Sequence, residues 1–323
     1  MTSPVVLVLT HRHDHYTVDR VADALRDRGA WPLRVDSDRF PTEMFLTGTA
    51  GERDALTLGD VTIPSGDVVA VWQRHLGAPT PGDDLDPAFQ PGCRAESFAA
   101  LMGYLDGLHR ARWIDPPDAV HAAENKLRQL RLARAAGLAV PRTLVSNDPA
   151  RVRAFFKEEE AGGVVAKMLT PLSTGMGGAG FFVHTHAVTA EHLEDLDGLR
   201  YSPMVFQARI PKARELRVAY VAGRCLVGAI DTRGVTEAQV DWRRAPPGSV
   251  GWTHDALPAP VEDALRGLMR ALGLRFGAVD LIVTPDGGHV FLEVNPCGEW
   301  GMLERDLDLP ISSAIADALL TTE

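Results

Sequence analysis

Short continuous apolar runs alternate along the chain with stretches of helical periodicity. Val5–Leu9 has the character of a buried strand. Residues 17–28 then place Val18, Val21, Ala22 and Leu25 on one helical face, closed by Gly29. Leu33–Asp36 and Val68–Trp72 predict two more strands, so the opening is a β-α-β pattern and implies a small α/β domain. Helical spacing returns over Ala95–His109, and the break Asp115-Pro116-Pro117 sets the end of a first domain, residues 1–115.

Ala119–Ala136 predicts one long helix ended by Gly137. Strands are expected at Pro141–Ser146, Gly163–Leu169 and Phe181–His184, with a helix over Pro149–Glu160 between the first two. A glycine-rich stretch, Ser173–Gly180, precedes the third strand, and residues 116–205 form a central α+β unit. Residues 206–323 make the third unit. Longer strands are expected around it, at Met204–Ile210, Glu215–Val221 and Arg224–Asp231. A polar excursion, Thr232–Pro260, and the helix Val261–Leu272 follow. A hairpin closes the pattern: Gly277–Thr284 and His289–Val294 join through Pro285-Asp286-Gly287-Gly288. The fold class is therefore α/β (α+β), with an antiparallel C-terminal sheet.

Composition narrows the function. With 323 residues, 45% hydrophobic and 24% charged, the chain has the make-up of a globular enzyme with two or three packed lobes. A net charge of −10 argues against nucleic acid, which normally needs a basic face. No apolar run approaches the roughly 20 residues of a membrane span. Cys93, Cys225 and Cys297 offer neither a disulfide framework nor metal-ligand spacing, which fits a reducing cytoplasm. The histidines of His11-Arg12-His13-Asp14-His15 read as a polar β-α turn rather than a metal site.

The sharpest chemical signal lies in the hairpin. Alternation gives Asp280 one face of its strand, and Glu293 and Asn295, two apart, share a face that can meet it across the ladder. Three oxygen-bearing side chains among apolar neighbours suit Mg²⁺ bridging nucleotide phosphates. Lys126 opens the long helix, and Lys167 closes an apolar strand just before the glycines, positions suited to phosphate contact. Backbone N–H groups of Gly175, Gly177 and Gly178 can fold over phosphate oxygens, although no Walker sequence is present. Gln207, Ala208, Arg209 and Ile210, where a strand becomes a loop, can offer backbone groups to an adenine edge, and Glu215 can accept from ribose hydroxyls. Arg217 shares a face with Glu215 and would point into the same cleft.

The order Asn125-Lys126, strand-end Lys167, glycine turn, Glu215-Leu216-Arg217, Asp280, Glu293-Val294-Asn295-Pro296 resembles the ATP-grasp superfamily over about 200 residues. The resemblance implies a pre-grasp α/β domain, a central lid domain and a C-terminal antiparallel domain clamping ATP. It implies that Lys126 and Lys167 contact ATP, Gln207 to Ile210 form the adenine hinge, Glu215 meets ribose, and Asp280, Glu293 and Asn295 hold two Mg²⁺. Many carboxylate–amine ligases carry an arginine two residues before the first metal aspartate. Ala278 stands there in this chain, which leaves Arg217 as the candidate for substrate-phosphate contact.

Val71-Trp72-Gln73-Arg74, Glu124-Asn125-Lys126-Leu127, Gly137–Asn147 and Asp241-Trp242-Arg243 look like the microviridin-type and plesiocin-type peptide macrocyclases, the graspetide ligases. That likeness implies phosphorylation of a peptide carboxylate and its joining to a hydroxyl or amine, with ester and amide products both open. It also implies a precursor peptide with a leader and an acidic, Thr/Glu-rich core as partner, and a homodimer. Arg217 and Arg243 would grip the acceptor acid and the oxyanion, with Asp231 or Asp241 as base for a hydroxyl. An amino-acid or small-peptide ligase, similar to glutathione synthetase or the ribosomal-protein glutamate ligases, is the second expectation, and a non-catalytic nucleotide-binding module the third.

Overall fold

The computed structural model describes residues 3–49, 54–169, 185–231 and 251–321. The strand expected at Phe181–His184 and most of the excursion Thr232–Pro260 lie outside these residues.

The N-terminal unit begins with β1 (Val5–Thr10), α1 (Tyr16–Arg26) and β2 (Trp31–Asp36). It continues through a meander, β3 (Met44–Thr47), β4 (Ala55–Leu58) and β5 (Val61–Pro64), to β6 (Val68–Gln73), α2 (Gln90–Asp106) and β7 (Arg112–Ile114). β2, β1, β6 and β7 pair in that order, all parallel. A parallel sheet is covered on both faces, which is why all six residues of β1 are buried and the first five, Val5–Leu9, read as an unbroken apolar run. Val5, Leu7 and Leu9 pack with α2 and the meander, while Val6 and Val8 face α1.

The long helix expected after the prolines is two helices, α3 (Pro117–Ala123) and α4 (Lys126–Ala135). Asn125 has extended backbone and its side chain accepts the Arg128 N–H at 2.9 Å, so it caps α4 and breaks what the apolar periodicity ran together. A four-stranded antiparallel sheet follows, built from β8 (Thr143–Ser146), β9 (Val164–Lys167), β10 (His186–Val188) and β11 (Met204–Ala208), with α5 (Pro149–Glu158) between β8 and β9. Its order is β10-β9-β11-β8, over a small core of Val152, Phe155, Val164, Leu199 and Phe206.

The last sheet carries the site. β12 (Arg214–Val221), β13 (Arg224–Ile230), β14 (Trp252–His254), β15 (Phe276–Val283) and β16 (His289–Asn295) pair antiparallel in the order β14-β13-β12-β15-β16. α6 (Ala259–Leu272), α7 (Gly301–Leu307) and α8 (Ile311–Leu320) accompany them. Leu216, Val218, Val279, Leu281, Phe291 and Val294 point to one face and pack on α6 and α4. The opposite face is split. Ala219, Val221 and Phe276 at one end pack on α8 and, through it, on β1 and β6. The other end of that face is polar.

Candidate active site

Strand register assembles this polar end. Asp280 lies opposite Arg217 on β12 and opposite Glu293 on β16, while Asn295 lies opposite Ala278. Directly paired residues share a face, so Arg217, Asp280, Glu293 and Asn295 all project to the same side, as alternation predicts. The register shifts between Asp280 and Leu281, a bulge beside the polar residues.

Charge complementarity holds the group together. Lys126 Nζ, at the start of α4, lies 3.0 Å from Glu293 Oε2 and donates to Asn295 Oδ1 at 3.3 Å. Burial opposes the charge on Glu293, yet Lys126 and Lys167 hold its carboxyl down at about 2. Lys167 ends β9 on the neighbouring sheet and feels Glu293, Lys126 and Asp280, so the two sheets face one another across a cleft. Burial lowers the Lys167 ammonium below the usual lysine range, against the pull of the two carboxylates. Arg217 is 5% exposed, with Nη1 2.9 Å from Asp280 Oδ1. That pair is close but poorly aligned, and Nε and Nη1 have no hydrogen-bond partner among the described residues. A buried guanidinium with unspent donors suits an anionic ligand.

The nucleotide-side residues divide. Glu215, one step along the same face of β12, pairs with Lys212, a residue that sequence reading passed over. The signal was a lysine three positions ahead of an acid where a loop enters a strand. Gln207 is buried and donates from Nε2 to Thr143 Oγ1 at 3.1 Å. The N–H groups of Ala208 and Arg209 bond the carbonyls of Arg142 and Gly163, each at 2.9 Å, and Ile210 follows in the loop. Asp231 lies exposed just past β13. Gly175, Gly177, Gly178, Asp241 and Arg243 lie outside the described residues.

Gln129 was also missed. Buried on α4, it donates to the Val294 carbonyl at 2.8 Å and accepts the Val294 N–H at 3.0 Å, taking the place of a neighbouring strand along β16. It thereby fixes the strand that carries Glu293 and Asn295. A glutamine on an otherwise apolar helix face was the available clue.

Residues 5–121 match the MvdD pre-ATP grasp domain. No curated protein sequence matches the chain. Among solved structures, the macrocyclase MdnC of Microcystis aeruginosa MRC, bound with precursor peptide MdnA, is 36% identical with a TM-score of 0.88. The alignment covers 98% of this chain and 100% of that one. The macrocyclase MdnB of the same organism is 46% identical over 98% of this chain and 99% of its own, with a TM-score of 0.83. A RiPP-associated ATP-grasp ligase of Chryseobacterium gregarium, in complex with ADP and a leader and core peptide, is 28% identical over 98% and 96%, with a TM-score of 0.88. The fold is that of ATP-grasp ligases, the enzyme class is ATP-dependent ligase, and the chain belongs to the graspetide family of ATP-grasp macrocyclases that includes MdnB and MdnC.

Proposed function

We propose that the protein phosphorylates side-chain carboxylates of Glu or Asp in a ribosomal precursor peptide and joins them to Thr or Ser hydroxyls, or Lys amines, as macrocyclic ω-esters or amides. The observation that carries this is the convergence of Asp280, Glu293, Asn295, Lys126, Lys167 and Arg217 on one cleft. A carboxylate is a poor electrophile, and phosphorylation converts it into an acyl phosphate with a good leaving group. Three hard oxygen donors in reach of two lysines fit Mg²⁺ with a triphosphate. Bound there, two Mg²⁺ would neutralise the charge on the β- and γ-oxygens. Lys126 and Lys167 would hold phosphate oxygens, with Lys126 exchanging its present carboxylate partner for them. Gln207 to Ile210 would line the adenine, and Glu215 would release Lys212 to receive ribose. Arg217 would spend its free donors on the acceptor acid or the acyl phosphate, aided by Arg243.

The reading divides the work among three units, 1–115, 116–205 and 206–323, with the central unit closing over the acyl phosphate to exclude water. Its glycines Gly175, Gly177 and Gly178 would cover the phosphates. The partner is a peptide with a leader and an acidic, Thr/Glu-rich core, in keeping with the peptides bound to MdnC and the Chryseobacterium ligase. The setting would be cytoplasmic, where ATP is supplied. Among the described residues no helix is long and apolar enough to cross a membrane.

The test incubates the enzyme with ATP, Mg²⁺ and a candidate precursor peptide that carries a leader and an acidic, Thr/Glu-rich core. Loss of about 18 Da per link, one water by mass, marks ring closure. A gain of one residue mass would mark an amino-acid ligase instead, and an unchanged peptide would defeat the proposal.

A further inference from the structure

A second polar cluster sits where the parallel strands end, at Thr10 of β1 and Gln73 of β6. The crevice beyond such strand ends is where α/β sheets gather ligands. Here Asp14, 9% exposed, accepts from Thr10 Oγ1 at 3.0 Å and from His75 Nδ1 at 2.9 Å. A carboxylate held below its usual range only accepts, so Nδ1 carries the ring proton and Nε2 keeps its lone pair. Arg74, 1% exposed, brings Nη1 to 3.2 Å from that Nε2. The same Nη1 donates to the Cys297 carbonyl, and Nη2 pairs with Glu299. Cys297 lies two residues beyond Asn295, a span of at most about 7 Å. One guanidinium thus ties His75 to the loop leaving the proposed metal strand.

Two readings compete. His11, Asp14 and His75 offer ligand atoms within 4.8 Å of one another, a spacing that a metal ion would accept. The surroundings oppose a cation: Arg74 Nε is 3.5 Å from Asp14 Oδ2, and Thr10, Thr17 and His75 already donate to that carboxylate. Arg74 already supplies the positive charge that faces Asp14 and Glu299, and Nε2 of His75 is left as an acceptor. The His11 ring, 5.3 Å from that of His75 by centroid, is the other titratable neighbour.

Resting on the macrocyclase reading, we propose that His75, oriented by Asp14, is the proton acceptor for the attacking hydroxyl. The peptide Oγ–H takes the place of Arg74 Nη1 at Nε2, and Arg74 stays anchored through Nε on Thr17 and Nη2 on Glu299. As Oγ bonds to the acyl carbon, its proton passes to Nε2. The C–O bond to phosphate breaks, with the electron pair leaving on inorganic phosphate. The imidazolium then returns its proton to water. Asp231 and Asp241 are not needed for this step.

The experiment separates the two half-reactions, using the same precursor peptide and ATP with Mg²⁺. Hydroxylamine traps acyl phosphate as hydroxamate and needs no base. In His75→Gln, ring closure at pH 7 should fall by about 100-fold or more, while hydroxamate still forms. If His75→Gln melts below assay temperature, His75→Ala with added imidazole is measured instead, and rescue of ring closure is expected. Ring closure at the wild-type rate, parallel loss of hydroxamate in a folded variant, or no rescue by imidazole would overturn the assignment. Failure of the wild-type enzyme to close rings defeats the macrocyclase reading itself, a separate result.

Discussion

Glu293 shows how much a single side chain depends on its neighbours. Without Lys126 and Lys167 its burial would favour the neutral acid, and the pair of ammonium groups reverses that. Glu293→Gln keeps the shape and loses the charge. ADP formation should fall by at least about 100-fold, as for other losses of preorganised charge, with the melting temperature within a few degrees of wild type. ADP release at the wild-type rate would end the metal assignment. Asp115 works differently. Its carboxylate, 2% exposed, accepts the N–H groups of Arg275 at 2.8 Å and Phe276 at 2.9 Å, where β15 begins. Asp115→Ala should cost about 2–4 kcal/mol, because two buried donors lose their acceptor. Burial lifts the Asp115 pKa to about 7, against those two bonds, so the folded chain takes up its proton more readily than the unfolded one. Its contribution is then fullest below the ordinary value of 3.8 and is lost as pH rises through about 7. Denaturant titrations should show the stability gap between wild type and Asp115→Asn narrowing across that range. Asp280, Glu293, Asn295 and Lys126 were legible in the sequence, because period-two spacing and an unusual acid within an apolar run are local signals. Asp115 was visible only as part of a proline break, since its partners lie 160 positions away.

Among the elements, the break between α3 and α4 matters most. Apolar spacing runs through residues 119–136, so periodicity alone merges them, and only the cap at Asn125 separates the pair. The break places Lys126 at the first position of α4, beside β16. Asn125→Ala should lower stability by about 1 kcal/mol by thermal or chemical melting, and should weaken nucleotide binding through the displaced Lys126. Unchanged affinity by calorimetry would mean that the cap serves the helix alone. The short meander over residues 44–64 escaped notice for a comparable reason. Its four-residue strands hold mixed, half-buried positions that give no clear period. The site strands β12, β15 and β16 were read to within a residue or two at each end because they are long and bounded by turns.

For the whole molecule, the sequence pattern predicts most of the site-bearing elements but not how they seat against one another. The helices α3 and α4, which follow the proline break, lie on the C-terminal sheet and share its core through Ala123 and Ala133, with Leu138 just beyond α4. No local signal reports such packing. The outer surface raises a further expectation. The first turns of α2 are exposed almost all round, with Phe89 63% and Phe98 42% accessible. A helix of this kind calls for a partner, and a second copy seated there would form the expected homodimer. Sedimentation should show a dimer that Phe98→Glu dissociates, and a monomeric wild type would refute it.

Within the same core, α8 wedges between the first sheet and the last: Ile311, Ile315 and Leu319 meet Val6, Val8 and Trp72 on one side, and Val221 and Phe276 on the other. On that side β1 is covered first by α1, which follows it directly, and in full only when α8, a segment translated some 300 residues later, arrives. A fragment ending near residue 115 should emerge as aggregate rather than as an autonomous fold. Nascent chains stalled before residue 310 should remain susceptible to protease and bound by chaperones until that wedge arrives.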